Sequence, residues 1–231
     1  MHLAQHRLIF GRRRGRRLGK EQSGRISELL PKFALTIPQT GRLELSAGPC
    51  PPQRDLWLEI GFGAGEHLAV QAERHSDVSL IGCEVFEPGI ARLLAHIEHR
   101  HIDNIRIFVD DARLLLAALP PSSIDRVFIL FPDPWPKRRH EKRRLVSSET
   151  LDALAETMKD GAELRFATDD DNYLTWVLER VTDHPSFKWP ARGLRDWRAR
   201  PIDWPPTRYE EKARAAGRTP TFLRLRRRWR K

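Results

Sequence analysis

Asp133 stands in the segment Phe131-Pro132-Asp133-Pro134-Trp135-Pro136-Lys137, with a proline on either side. Proline fixes its own φ, lacks an N–H and pushes the preceding residue out of the helical region, so this loop is stiff and its acid is held in place. A carboxylate held rigidly beside an indole is suited to positioning a planar group. Lys137, Arg138, Arg139, Lys142, Arg143 and Arg144 follow at once. An acid–aromatic site next to dense positive charge suits a nucleobase with its phosphates close by.

A second constellation reads Glu59-Ile60-Gly61-Phe62-Gly63-Ala64-Gly65-Glu66. Its glycines permit a tight turn and a close approach of backbone to a ligand. A dinucleotide fingerprint has the spacing G-x-G-x-x-G and places a pyrophosphate on a helix N-terminus. Here the spacing is G-x-G-x-G, and the carboxylates of Glu59 and Glu66 flank it. Those charges disfavour a pyrophosphate and favour a cationic ligand. S-adenosylmethionine carries an ammonium and a sulfonium, so it is the better electrostatic match. Glu84 lies about 20 residues past the glycines, where an acid accepts hydrogen bonds from ribose hydroxyls. Asp111 follows a further apolar run, where a side chain can reach an adenine amino group. Asp110 is adjacent, and spacing does not choose between them.

These residues need a scaffold that brings the ends of several strands together. Leu56–Ile60, Val78–Val85, Ile105–Val109, Ile124–Phe131 and Glu163–Thr168 read as strands, and 124–131 is apolar at nearly every position, as a strand buried on both faces should be. Residues 66–74 suit a helix. Ile90, Leu93, Leu94 and Ile97 keep the i, i+3, i+4, i+7 spacing of another. Leu151, Leu154, Ala155 and Met158 mark a third, and Leu174, Val177, Leu178 and Val181 a fourth. Strands alternating with helices imply an α/β fold, a doubly wound and mostly parallel sheet. Thr221–Trp229 alternates leucine with arginine and suits a half-buried edge strand. Residues 46–53 (SAGPCPPQ) read as a linker, and residues 184–206, rich in Pro, Trp and Arg, show no assignable period. The expected organisation is a flexible basic arm over 1–25 and a single domain over 26–231.

The chain has 231 residues and a formal net charge of +10. Three short runs hold the excess: 12–20 carries +6, 137–144 carries +5 and 224–231 carries +6, leaving a mildly acidic body. That partition suggests a polyanionic partner. No apolar run approaches the ~20 residues of a membrane span, and the N-terminal MHLAQHRLIF lacks signal-peptide architecture. Cys50 and Cys83, far apart and without Cys/His spacing, argue against a disulfide framework or a zinc site. A reducing cytoplasm is the expected compartment, and no metal is called for.

With these residues in view, the sequence resembles the bacterial tRNA (guanine-N7)-methyltransferase family, of the Rossmann-like class I S-adenosylmethionine-dependent fold. LEIGFGAGEHL, GCEVFEPG, FPDPWPKRRHEKRR, ATDDDNY and TRYEEKA carry the resemblance, from about residue 56 to 213, with a family-like basic FGRRRGRR upstream. The FPDPWPK block with its basic tail is highly specific, whereas the glycine loop is shared by many methyltransferases. The resemblance implies methylation of the variable-loop guanosine of tRNA, position 46, with S-adenosylhomocysteine as product. It implies cofactor binding by Glu59, Gly61, Gly63, Glu84, Asp111 and Asp133, with Asp133 also catalytic; Ala112 after the acid selects Asp111 over Asp110. It places substrate contacts on Lys137, Asp169, Thr207, Arg208, Tyr209 and Glu210. Three rival functions compete with it. An amino-group methyltransferase for adenine or cytosine ordinarily has two consecutive prolines after its acid, whereas here one proline separates Asp133 from Trp135. An RNA-binding module with a vestigial cofactor fold is disfavoured by the intact acids, and a nicotinamide dehydrogenase by the lack of a hydride-transfer constellation.

Overall fold

Apolar runs with no polar break have to be covered on both sides, and a sheet between two helical layers does this. A computed structural model describes residues 10–15, 17–45 and 55–231. In it the chain forms β1 (Leu56–Ile60), β2 (Ser79–Cys83), β3 (Ile105–Phe108), β4 (Ile124–Leu130), β5 (Met158–Thr168), β6 (Phe187–Lys188) and β7 (Thr221–Arg227). They make one seven-stranded sheet in the order β3-β2-β1-β4-β5-β7-β6. β1 to β5 run parallel, and β7 is antiparallel to both its neighbours. Every residue of β1 and β2 is buried.

The helices are α1 (Lys20–Glu28), α2 (Leu30–Phe33), α3 (Glu66–Arg74), α4 (Glu87–Arg100), α5 (Ala112–Ala118), α6 (Ser148–Thr157), α7 (Asp171–Asp183), α8 (Arg195–Arg198) and α9 (Arg208–Ala215). Leu68, Ile90, Leu93 and Leu94 of α3 and α4 join one apolar core, to which α1, α2 and the residue between them add Ile26, Leu29, Leu30 and Phe33. Leu115, Leu151, Leu154, Tyr173 and Val177 of α5, α6 and α7 join the other. This is the doubly wound α/β arrangement expected from the sequence. Among the described residues no helix is long and apolar enough to cross a membrane.

Several elements differ from expectation. β7 is not the edge strand, because β6 pairs with its Arg226 and Arg227 and takes the edge. Met158 begins β5 rather than ending α6: its partner is Ile124 of β4, and its side chain is fully buried. α5 gave no helical period because Leu114, Leu115 and Leu116 are consecutive; its signal is the cap, Asp111 accepting from the Arg113 N–H at 2.9 Å. The boundary expected at residue 25 falls inside α1, whose Arg25 pairs with Glu98 of α4 at 2.8 Å. The linker expected over 46–53 lies outside the described residues. Residues 184–206 supply β6, α8 and Trp204, which is 1% exposed and packs edge-on to Phe222.

The C-terminal basic run also departs from the polyanion patch expected of it. Arg224 and Arg226 each reach Glu163 Oε2 at 3.0 Å, Arg227 and Arg230 pair with Asp160, and Arg228 Nε donates to the Phe187 carbonyl at 2.7 Å. Strand pairing sets β7 arginines opposite β5 acids, so this charge is spent on joining strands.

Candidate active site

Chain order reverses at β1, which has β2 on one side and β4 on the other. In open α/β sheets the crevice beyond the strand ends at such a point is where ligands bind. Here that crevice is a cleft of about 430 Å³. Its lining includes Gly61 and Gly63 after β1, Glu84 after β2, Asp110 and Asp111 after β3, Asp133 and Trp135 after β4, and Tyr209 of α9. Four positions that sequence places far apart thus meet because four parallel strands end at one edge.

The glycine loop is built for close packing. Gly65 has φ +80°, and a Cβ there would lie 2.7 Å from Leu93 Cδ1. A Cβ on Gly89 of α4 would lie 2.1 Å from the Gly63 carbonyl oxygen, so α4 and the loop meet backbone to backbone. Glu84 pins the loop from inside. Its Oε2 accepts from the Gly63 N–H at 2.8 Å, and its Oε1 from Val85 N–H at 2.7 Å and Phe86 N–H at 3.0 Å. A carboxylate offers about four acceptor sites, so roughly one is left for a ligand hydroxyl. Burial pushes the Glu84 pKa up, against the pull of these three N–H groups, and the nearby Asp133 adds to the rise. Asp111 is buried, with Arg113 Nη1 at 3.2 Å from its Oδ2. Asp110 accepts from the Asp111 N–H at 2.9 Å.

Asp133 is held differently. Phe131 and Trp135, at the two ends of its loop, have φ of +51° and +45°. For side chains of this size that left-handed conformation is costly and persists only where the surroundings enforce it, commonly at functional sites. The Phe131 N–H donates to the Ala167 carbonyl at 2.8 Å, and its ring meets Phe222 edge-on. The Arg143 guanidinium lies 5.0 Å from the centroid of the Trp135 indole. Arg144 Nε donates to the Pro134 carbonyl at 2.8 Å. No hydrogen bond from a described residue reaches the Asp133 carboxylate. The residue is exposed at the cleft, but the walls around its carboxyl thin the solvent enough to raise its pKa.

The structure does not bring all the expected residues to the cleft. Glu59 is 3% exposed, is absent from the lining and has its Oε2 2.7 Å from His67 Nδ1. Asp169 pairs with Arg218 at 2.6 Å. Thr207 caps α9, its Oγ1 accepting from Glu210 N–H, and Glu210 is buried between Arg200 and Arg214. Lys137 is exposed next to the loop. Arg144, counted above among the basic residues for a polyanion, is 1% exposed: its Nη2 donates to Asn172 Oδ1 at 2.6 Å and its guanidinium lies between Tyr173 and Trp176. It is a strut under the Asp133 loop. Sequence reasoning missed that role and those of Phe10, Arg12 and Phe86, which also line the cleft. The density of aromatic and basic residues gave no sign of which would turn inward. Tyr209, expected from the TRYE segment to touch substrate, lines the cleft, and its pKa is raised by burial and by Glu84 and Asp133.

A family model described as "Putative methyltransferase" matches residues 53–223. The tRNA (guanine-N(7)-)-methyltransferase of Rhodospirillum rubrum is 48% identical over 225 residues, 95% of this chain and 88% of that protein. The protein of the same name from Paramagnetospirillum magneticum is 48% identical over 227 residues, 97% of this chain and 94% of that one. Among solved structures, the 16S rRNA methyltransferase KamB is similar with a TM-score of 0.56 at 15% identity, over 77% of this chain and 90% of that chain. An antibiotic-related methyltransferase is similar with a TM-score of 0.53 at 16% identity, over 83% and 97%. Those two likenesses are of fold.

Proposed function

This chain belongs to the tRNA (guanine-N(7)-)-methyltransferase family, and on that premise we propose that it transfers the methyl group of S-adenosylmethionine to N7 of the variable-loop guanosine of tRNA, position 46. The observation that carries the proposal is the convergence of Glu84, Asp111 and Asp133 on one cleft at the ends of β2, β3 and β4. The cleft suits the cofactor. It offers the acceptor left on Glu84 for a ribose, the acids after β3 for an adenine amino group, apolar walls from Ile60, Val85, Leu130 and Leu145, and a tightly packed glycine loop. Glu59 contributes indirectly, by holding His67 in the first turn of α3, the helix that follows that loop.

When bound, S-adenosylmethionine supplies an electrophilic methyl group. Guanine N7 has an in-plane lone pair and no proton, so the chain needs no general base. Its task is to hold N7 in line with the methyl group at roughly 3–3.5 Å. Asp133 accepts from guanine N1–H and N2–H₂, or faces the positive charge that the base acquires as its N7 is alkylated. Both follow from a rigid carboxylate with unused acceptors. Lys137, Arg138 and Arg139 hold phosphates, which offsets the few kcal/mol needed to extrude a stacked base. Thr207 and Glu210 act by placing α9, which carries Arg208 and Tyr209, and Asp169 by holding Arg218 in the turn after it.

The test is incubation of the purified chain with unmodified tRNA and the cofactor, followed by borohydride/aniline cleavage. Cleavage at position 46 is the expected result. A methylated base of another kind in nucleoside mass spectrometry overturns the proposal.

A further inference from the structure

Tyr209 lies in the wall of two cavities. Beside the cofactor cleft is a second concavity of about 270 Å³, lined by Gly63, Glu66, Arg92, Arg208, Tyr209 and Lys212 among others. Arg92 comes from α4, while Arg208 and Lys212 stand four apart on α9 and so share a face. All three cations are exposed, and none makes an ion pair or hydrogen bond with a described residue through its side chain. Lys212 Nζ lies 5.8 Å from the centroid of the Tyr209 ring. The contrast with the C-terminal arginines is sharp, since those are consumed by Glu163 and Asp160. Three converging cations against one acid, Glu66, leave an excess positive charge that repels itself until an anion enters.

The pocket is fixed relative to the cofactor loop. α4 meets the Gly63 carbonyl with no room for a Cβ on Gly89, and a Cβ on Gly63 would lie 3.2 Å from the Tyr209 ring. An anion held there therefore sits one aromatic ring away from a base in the main cleft. An amino-acid carboxylate brings its own ammonium with it and gains little from surplus positive charge. A polynucleotide brings one negative charge per nucleotide. Resting on the activity proposed above, we infer that Arg92 and Lys212 join Arg208 and Tyr209, already expected to touch substrate, in a phosphodiester-binding subsite that grips the RNA backbone next to the extruded guanosine.

The experiment uses the full chain with Arg92→Ala, Lys212→Ala and the double variant; both side chains are exposed, so folding should survive. Affinity for unmodified tRNA is measured against salt, and cofactor affinity by calorimetry. Each substitution should lower the log–log salt slope by about 0.7 to 0.9 with cofactor affinity unchanged. A tRNA carrying one neutral methylphosphonate linkage beside the target guanosine should bind wild type on the order of 10-fold more weakly than unmodified tRNA, and that penalty should be clearly smaller for the double variant, which keeps only Arg208 among the three cations. Weaker cofactor binding with an unmoved salt slope overturns the inference and gives the pocket to the cofactor. An equal penalty from the neutral linkage in wild type and double variant overturns it too. Wild-type chain that leaves guanosine N7 unmethylated refutes the activity and the subsite together, whereas normal methylation with unmoved slopes refutes the subsite alone.

Discussion

A carboxylate that accepts nothing from the described residues and sits where solvent is thinned has its acceptors available for a ligand. Guanine N1–H and N2–H₂ are matching donors. Asp133→Asn keeps the size but replaces one acceptor with a donor and removes the charge. Turnover should fall on the order of 10²-fold, as when one preorganised electrostatic partner is lost. If Asp133 mainly selects the base, the variant also loses its preference for tRNA with the target guanosine over tRNA without it. If Asp133 mainly faces developing charge, that preference survives while single-turnover methylation slows. Burial raises the Asp133 pKa above its ordinary 3.8, and only the ionised form serves either role. The limb of kcat/KM that rises with pH should therefore be displaced upward from the ordinary aspartate value, with activity lost as pH falls through it, and Asp133→Asn should remove that limb. Glu84→Ala should weaken cofactor binding by ~1.5–3 kcal/mol in calorimetry, the value of about one charge-assisted bond, since three of its acceptor sites serve the backbone. Acids at strand ends were legible as residues, because a parallel sheet delivers strand ends to one edge. Glu59 was not, because sequence cannot distinguish a carboxylate facing a ligand from one facing His67.

At the scale of elements, the Asp133 loop depends on what lies behind it. Arg144 holds Pro134 from one side and Asn172 of α7 from the other, between two aromatic rings. Arg144→Ala leaves a buried cavity and unpaired acceptors, and should cost on the order of 3 kcal/mol. Thermal unfolding should then drop by roughly 2–4 °C per kcal/mol. Arg138→Ala and Arg139→Ala, on exposed side chains of the same run, should leave the midpoint unchanged. The order of strands and helices was legible wherever period and composition agreed. It failed at α5, where three consecutive leucines hide the helical period, and at Met158, whose strand partner is more than thirty residues away. It failed at β7 as well, where alternation shows that one face is polar but not which strands lie alongside.

For the molecule as a whole, net charge of +10 says little about where an RNA binds until the paired arginines are removed from the account. The cations near the C-terminus hold β5, β6 and α6 together, and Arg144 braces the Asp133 loop, whereas Arg138 and Arg139 are exposed and pair with no described residue. The log–log salt slope of tRNA binding should therefore fall by ~0.7–0.9 for each of Arg138 and Arg139 removed. It should not move for Arg224→Ala, whose effect belongs in unfolding measurements. Composition revealed three basic runs, but only the register of β5 against β7 shows that the last of them braces the sheet.

The chain has two tyrosines. Tyr173 is fully buried, its hydroxyl accepting from the Val146 N–H at 3.2 Å, while Tyr209 stands between the two cavities. Uniform incorporation of fluorotyrosine would thus yield two fluorine resonances without any engineered label. The line from Tyr173 would act as an internal standard for the core. The line from Tyr209 would shift when either cavity fills, so cofactor and RNA could be titrated separately and their order of arrival followed in one spectrum.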